Sequence, residues 1–357
     1  MSTHFATVVH VDLFKHPNAE KLALCYPEGF CLGTNAASWG VDPAALPMKD
    51  SGEPAVRAKA LGVFIPPDSL VPVVRPEFEF LAGAAYKEPH PYQGFARITV
   101  KRFRGLFSQG LLVESPPGLA VGDNAFDALG LMHWEPVNSP DTRLDGESDG
   151  TDDFGSKYDL EPMQRFSGAF KAGELVHATE KIHGCNARFK YDMAQERFRC
   201  VSRSSWKKHD GVNVWIKVLT QDMPLQTLCR ENPHLVVFGE VFGAVQKFTY
   251  GHEKGSVDFV CFDIFDSAQR MWLNHAEIVR VAALYSLPVV PLVYSGPFDL
   301  DKLKDLAEGP SLLSPAGVPC REGVVVRPDQ ERQDPMVNGR VVLKLVGSGY
   351  YEATGKE

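Results

Sequence analysis

The run Thr179-Glu-Lys-Ile-His-Gly-Cys-Asn186 closes an apolar segment with a lysine, Lys181, and follows it at once with His183, Gly184 and Asn186. That pattern reads as a strand running into a tight turn with an amine at its lip. A lysine partly desolvated there, or set beside other cations, would have a depressed pKa and act as a nucleophile. A surface lysine before a turn leaves the same trace, so four later segments matter. Phe238-Gly-Glu-Val-Phe-Gly243 sets Glu240 between glycines on an apolar strand, where a carboxylate is costly unless it meets a ligand or partner. Val257 to Ile264 alternates, with Asp258, Val260 and Phe262 on one face and Phe259, Cys261 and Asp263 on the other. Arg321-Glu-Gly-Val-Val-Val-Arg327 opens on a charged pair that includes Glu322, and Arg340 to Val346 puts Lys344 on a face with Val342 and Val346. Singly, each also reads as structural, Glu240 being a candidate core partner for a lysine. Together they supply a lysine nucleophile, two carboxylates, an aromatic and a second lysine, a set suited to nucleotidyl transfer.

Such groups need strands to hold them. Hydrophobic patterning predicts strands over 176–181, 187–191, 235–241, 257–265, 323–327 and 340–346. It predicts helices over 206–222, 268–286 and 299–307, the second with Trp272, Ala276, Val279 and Ala283 on one face. Residues before about 137 read as short β segments punctuated by Gly and Pro, a small barrel or a sandwich. Between the two regions, Asp141 to Glu161 holds eight acids against two bases, a net −6 of the chain's −8. With few large apolar residues, burial there cannot offset the entropy of ordering, and the stretch reads as a linker.

The 357 residues therefore suggest two domains. An acidic total argues against a nucleic-acid partner only until the charge is located, because the two folded parts together carry just −2. Basic residues interleaved with aromatics suit a nucleic-acid backbone in two places: Lys101, Arg102 and Arg104 with Phe103 and Phe107, and Arg203, Lys207 and Lys208 with Trp206. No secretory signal is expected at the N-terminus, and no apolar run approaches the ~20 residues of a membrane helix. Seven scattered cysteines without a CxxC pair predict reduced thiols and a cytoplasmic protein.

With these residues in view, the five segments resemble motifs I, III, IIIa, IV and V of the covalent nucleotidyltransferases, the superfamily of ATP-dependent RNA and DNA ligases and capping enzymes. EKIHGCNARF, with His where most members have Asp, resembles the phage RNA ligase 2 type. HPNAEKL, IPPDSLVP, PEFEFL and ITVKRFRGLFSQGLLV resemble the N-terminal OB-like domain of the Deinococcus and Naegleria type RNA ligases. The chain ends 13 residues beyond Lys344, so no C-terminal OB fold is expected, which favours RNA ligases over their relatives. The resemblance implies an α+β protein: an OB-like β-barrel for nucleic-acid binding over 1–140, an acidic linker over 141–161, and a mixed α/β nucleotidyltransferase domain of antiparallel sheets and helices over 162–357.

The resemblance further implies an ATP-dependent RNA ligase, expected as a monomer. It would join 3′-OH and 5′-phosphate ends, at nicks in duplexes, through AMP carried covalently on Lys181. Sealing of DNA, GTP-using capping and non-catalytic nucleic-acid binding are the alternatives. By match of position, Glu180, Asn186, Arg203, Glu240, Phe262, Glu322 and Lys344 bind the nucleotide, with Phe262 stacked on adenine and Lys344 at the α-phosphate. Glu240, Glu322 and His183 serve Mg²⁺ or Mn²⁺. One departure stands out: motif V usually offers two lysines two apart, and here the second place is Val346, so that either Lys247, Lys254 or Arg327 compensates at the phosphate or one of the three chemical steps is slower than in relatives.

Overall fold

The computed structural model describes residues 6–134, 146–147, 158, 160–202, 206–207, 213–337 and 339–355. They form two compact units, one of residues up to 134 with 162–167, the other of residues from 168 onward with the described part of 146–161. Most of the acidic stretch expected as a linker lies outside the described residues.

The first unit is β-rich. Gly62–Ile65 is the middle strand between Thr7–Val9 and Leu111–Glu114, and Ser69–Pro72 the middle strand between Met132–His133 and Phe95–Arg97. A third sheet runs Leu32–Asn35, Leu22–Cys25, Asp12–Lys15, Val56–Arg57, and Lys101–Phe103 pairs with Leu106–Ser108 as a hairpin. Gly62–Ile65 is buried on both faces: Val63 and Ile65 enter one core with Val71 and Phe78, while Phe64 enters another with Leu13, Leu32 and Trp39. Among the described residues the strands make separate sheets and no closed barrel. At two to four residues each, interrupted by 3-10 turns at Pro27–Gly29, Pro43–Ala45 and Glu79–Ala84, they are too short to carry one ladder around a circuit.

In the second unit ten strands concern the site: β1 (Leu175–Lys181), β2 (Cys185–Asp192), β3 (Arg197–Val201), β4 (Trp206–Lys207), β5 (Leu235–Gly243), β6 (Val257–Asp266), β7 (Met271–Trp272), β8 (Leu292–Pro297), β9 (Gly323–Pro328) and β10 (Leu343–Val346). One sheet runs β4-β3-β2-β5-β6-β7, and the other places β10-β9-β1-β8 side by side, all these pairs antiparallel. Helices α1 (Val214–Gln221), α2 (Met223–Glu231) and α3 (His275–Leu284) pack Val218, Leu225, Leu228 and Ile278 onto Phe189, Val237, Val241 and Phe259 of the first sheet. Alternation along β2 and β5 then turns Asn186 and Glu240 to the opposite face. Gly239 allows this packing, since a Cβ there would lie 2.2 Å from the Phe259 ring.

Two helix expectations change. Residues 206–207 are strand, and the helix begins only at Val214, where the Asn213 side chain accepts the Ile216 N–H as N-cap. α3 begins at His275 behind an Asn274/Glu277 capping box and buries His275, Ile278 and Ala282. Val279 is exposed and Trp272 belongs to β7, so the helical period was legible and its phase was not.

Candidate active site

Strand register assembles the site. The last residue of β1, Lys181, pairs with Gly323 at the start of β9, which brings Glu322 beside it. Lys344 on β10 pairs with Val325, and Asn186 on β2 pairs with Glu240 on β5. Lys181, Asn186, Glu240, Phe262, Arg327 and Lys344, together with Glu180 and Tyr158, line one cavity of about 340 Å³.

Lys181 Nζ lies 2.7 Å from Glu322 Oε1. Burial alone would lower the lysine pKa, but Glu322 and Glu240 outweigh it and hold the ammonium above its usual range. This reverses the depressed value expected from the sequence. The two acids are split by their surroundings: burial, reinforced by Glu322, pushes the Glu240 carboxyl up to about 8, whereas Lys181 and His183 overcome burial at Glu322 and hold it at about 2. Lysine and carboxylate thus store each other's charge in a site with little solvent.

Glu180 faces the other way. Its carboxylate accepts Ser311 Oγ at 2.6 Å and the Leu312 and Leu313 N–H groups at 2.7 and 3.2 Å, and its own N–H donates to Pro291 O. His183 is buried, its N–H donating to Tyr250 Oη at 2.8 Å and its Nδ1 lying 3.0 Å from Tyr350 Oη and 3.5 Å from Glu322 Oε2. Asn186 Oδ1 is buried in the cavity wall with no hydrogen-bond partner among the described residues, an acceptor suited to a ligand. Phe262 packs against Tyr158, ring centroids 4.9 Å apart, and its carbonyl accepts Arg327 Nη2 at 3.0 Å. Arg327 is 1% exposed and pairs with Asp263, which also accepts Tyr158 Oη at 2.8 Å and Arg340 Nη1 at 3.0 Å.

An amine, the Glu240 carboxyl, an aromatic face and two further cations in one cavity, with Glu322 bonded to the amine from behind, is a nucleotide-handling arrangement. The RNA ligase family model matches residues 174–346, the span that holds every one of these groups except Tyr158. Residues 174–346 are an RNA ligase domain. No curated protein matches the sequence. Among solved structures, a ligand-free Naegleria gruberi RNA ligase variant is 21% identical with a TM-score of 0.71, each chain covered over 100%. A variant of that ligase with AMP and manganese gives 20% and 0.72, and one with ATP and manganese 21% and 0.70, each over 98% of both chains. At these identities the likeness establishes the α+β fold of the whole chain.

The RNA ligase domain brings Lys181, Asn186, Glu240, Phe262 and Lys344 to the wall of one cavity, with Glu322 and His183 behind Lys181. Arg203 and Lys208 lie outside the described residues. Lys207 is buried, its ammonium 4.3 Å from the Trp215 ring centroid, and Lys101, Arg102 and Arg104 belong to the other unit. Of the residues weighed against Val346, Arg327 lines the cavity and Lys247 and Lys254 do not. Sequence reasoning missed Tyr158, Tyr250 and Tyr350. Tyr158 was hidden inside the acidic stretch, where an aromatic among acids was its only signal. No helix among the described residues is long and apolar enough to cross a membrane.

Proposed function

We propose that the chain seals RNA strands with ATP through a lysyl-N-AMP intermediate, acting on 3′-OH and 5′-phosphate ends at nicks in duplexes. The observation that carries this reading is Lys181, paired with buried Glu322, at the wall of a cavity that Glu240, Phe262 and Lys344 also line. Lys181, once neutral, attacks the α-phosphorus of ATP; a P–N bond forms and pyrophosphate leaves. AMP next passes from Lys181 to the RNA 5′-phosphate, and the 3′-OH displaces AMP as the phosphodiester forms. Lys344 and Arg327 offset charge on the transferring phosphoryl group, Phe262 stacks on adenine with Tyr158 behind it, and Glu180 presents its backbone to the adenine edge. Asn186, with its free acceptor, meets the ribose together with Glu240, and Arg203 reaches the phosphates.

The Glu240 and Glu322 carboxyl groups beside Lys181 are oxygen donors that a divalent cation fits. Among the described residues no three His, Cys, Asp or Glu side chains are placed to hold one ion directly, so Glu240, Glu322 and His183 are proposed to orient a largely hydrated cation. Mg²⁺ or Mn²⁺ there would supply electrostatic stabilisation at the α-phosphate.

The first unit is proposed as an OB-like RNA-binding module, joined through the acidic segment 141–161. Its hairpin exposes Lys101, Arg102, Phe103 and Arg104, and buried His16 and exposed Asn18 brace the tip by bonding the carbonyls of Phe103 and Arg104 at 3.1 and 3.0 Å. A preordered basic hairpin loses little entropy on meeting a phosphate backbone. In the ligase domain Lys208 is proposed to meet a phosphate, whereas Lys207 is buried against Trp215 and is not available to one. The protein is read as a monomer, and as cytoplasmic, consistent with seven cysteines outside any disulfide.

Incubation with radiolabelled ATP and Mg²⁺ tests the reading. A label that survives denaturation and is absent from Lys181→Ala is expected; equal labelling of the two proteins would end it. Nicked duplexes with RNA or DNA at the 3′-OH side then decide the substrate, and equal sealing of all-DNA nicks would remove the RNA preference.

A further inference from the structure

We propose that Tyr350 is a positioning residue for the nucleophile, acting through His183 and Glu322; the inference deepens the lysyl-AMP reading and rests on it. Four groups stand in line. Tyr350 Oη lies 3.0 Å from His183 Nδ1, that nitrogen 3.5 Å from Glu322 Oε2, and Glu322 Oε1 2.7 Å from Lys181 Nζ. Nδ1 thus faces two oxygens at once. The rotation of the imidazole decides how Glu322 is held, and the Tyr350 hydroxyl is the nearer of the two constraints on that rotation.

Tyr350 is itself firmly placed. It is 3% exposed on helix α5 (Ser348–Thr354), and its ring meets Phe248 edge-on at 5.5 Å. The Glu308 carboxylate accepts the Ser348 and Gly349 N–H groups at 2.5 and 3.1 Å, fixing the start of the helix. Gly347 N–H donates to Glu322 O at 3.0 Å, so the backbone leading into α5 is tied to the very residue whose side chain the relay orients. A second tyrosine, Tyr250, holds the His183 N–H. Backbone and ring of His183 are therefore fixed separately, a division expected where a small rotation at one group misdirects an in-line attack at another.

Tyr350→Phe keeps the ring and its packing and removes only the hydroxyl. With saturating radiolabelled ATP and Mn²⁺, label should form on Lys181 about tenfold more slowly, while the ATP concentration for half-maximal rate changes by less than about twofold. In a His183→Ala background the same substitution should have no further effect. Wild-type labelling rates in Tyr350→Phe, or a loss that adds in full to that of His183→Ala, would overturn the proposal. Ring-nitrogen NMR of His183 in the ligand-free protein reads the contact without turnover. Its Nδ1 signal should move in Tyr350→Phe, and an unmoved signal overturns the proposal as well. Failure of the wild-type protein to label would instead count against the ligase reading, leaving the NMR outcome to judge the relay.

Discussion

Glu322 holds Lys181 in the form that cannot react. With Oε1 2.7 Å from Nζ, the carboxylate keeps the amine protonated against the pull of burial. Catalysis therefore begins with the separation of this pair, and the nucleotide's own charge and its cation are the agents at hand. Replacing Glu322 by Gln removes the foremost cause that raises the lysine pKa and leaves burial, which lowers it. Lys181 should then react faster with an amine-directed reagent at pH 8, followed by mass spectrometry of its peptide. Unchanged or slower modification would show that the pair does not govern the lysine's charge.

Gly184 follows the nucleophile into its turn. A Cβ there would meet Val241 O at 2.3 Å and Glu240 Cγ at 2.9 Å, both on β5. Gly184→Ala must push β5 or the turn aside, and misplacing Glu240 or Lys181 by an ångström costs about a hundredfold in rate. Label formation in Gly184→Ala should fall by about that factor, with a stability loss of roughly 1–3 kcal/mol in a denaturant titration.

Val346 occupies the place where family members usually carry a second motif V lysine. It packs against the apolar cluster of Ile182, Phe242, Phe248 and Tyr350, while Arg327 already brings a second cation to the cavity beside Lys344. Val346→Lys should therefore bury an ammonium among apolar groups, costing roughly 1–3 kcal/mol, and give no faster label formation. A gain in the rate of any of the three chemical steps would refute this.

His275 predicts the acid limb of stability. Burial first, then the neighbouring His177 and Arg327 charges, push its pKa down from 6.5 to about 4. A histidine depressed in the fold binds fewer protons than in the unfolded chain across that window. Its contribution is whole above pH 6.5 and is lost as the pH falls toward 4, on the order of 2 kcal/mol. His275→Gln should flatten the dependence of unfolding free energy on pH between those limits, and a slope equal to wild type would exclude His275 as its source.

How far the site could be read in advance depended on distance along the chain. Glu240 and Phe262 were legible one strand at a time. The alternation expected along β6 breaks at Phe262, however, where its register with β5 shifts. Asp263, expected on the face of Phe259 and Cys261, instead meets Arg327, Arg340 and Tyr158. The charge of Lys181 was not legible, because its partner Glu322 arrives from 141 residues away and only the pairing of β1 with β9 puts them in contact. Tyr350 was invisible for the same reason, as its meaning lies in His183. Val279 was misassigned because a short amphipathic helix with alanines on several sides leaves its phase open until the sheet beneath is known. In the first unit, turn residues announced short strands correctly, yet nothing local says whether such strands close into a barrel.

Glu180 and Lys181 are chain neighbours with opposite duties. One side of the strand end reaches into the nucleotide cavity, and the other is bolted through three hydrogen bonds to the loop from Ser311 to Leu313. The loop is therefore part of the nucleophile's mounting, although none of its residues lines that cavity. Variation there acts as a mechanical adjustment of the amine, and a graft or insertion between α4 (Leu300–Ala307) and β9 would retune the chemistry from a distance without altering a single group that touches the nucleotide.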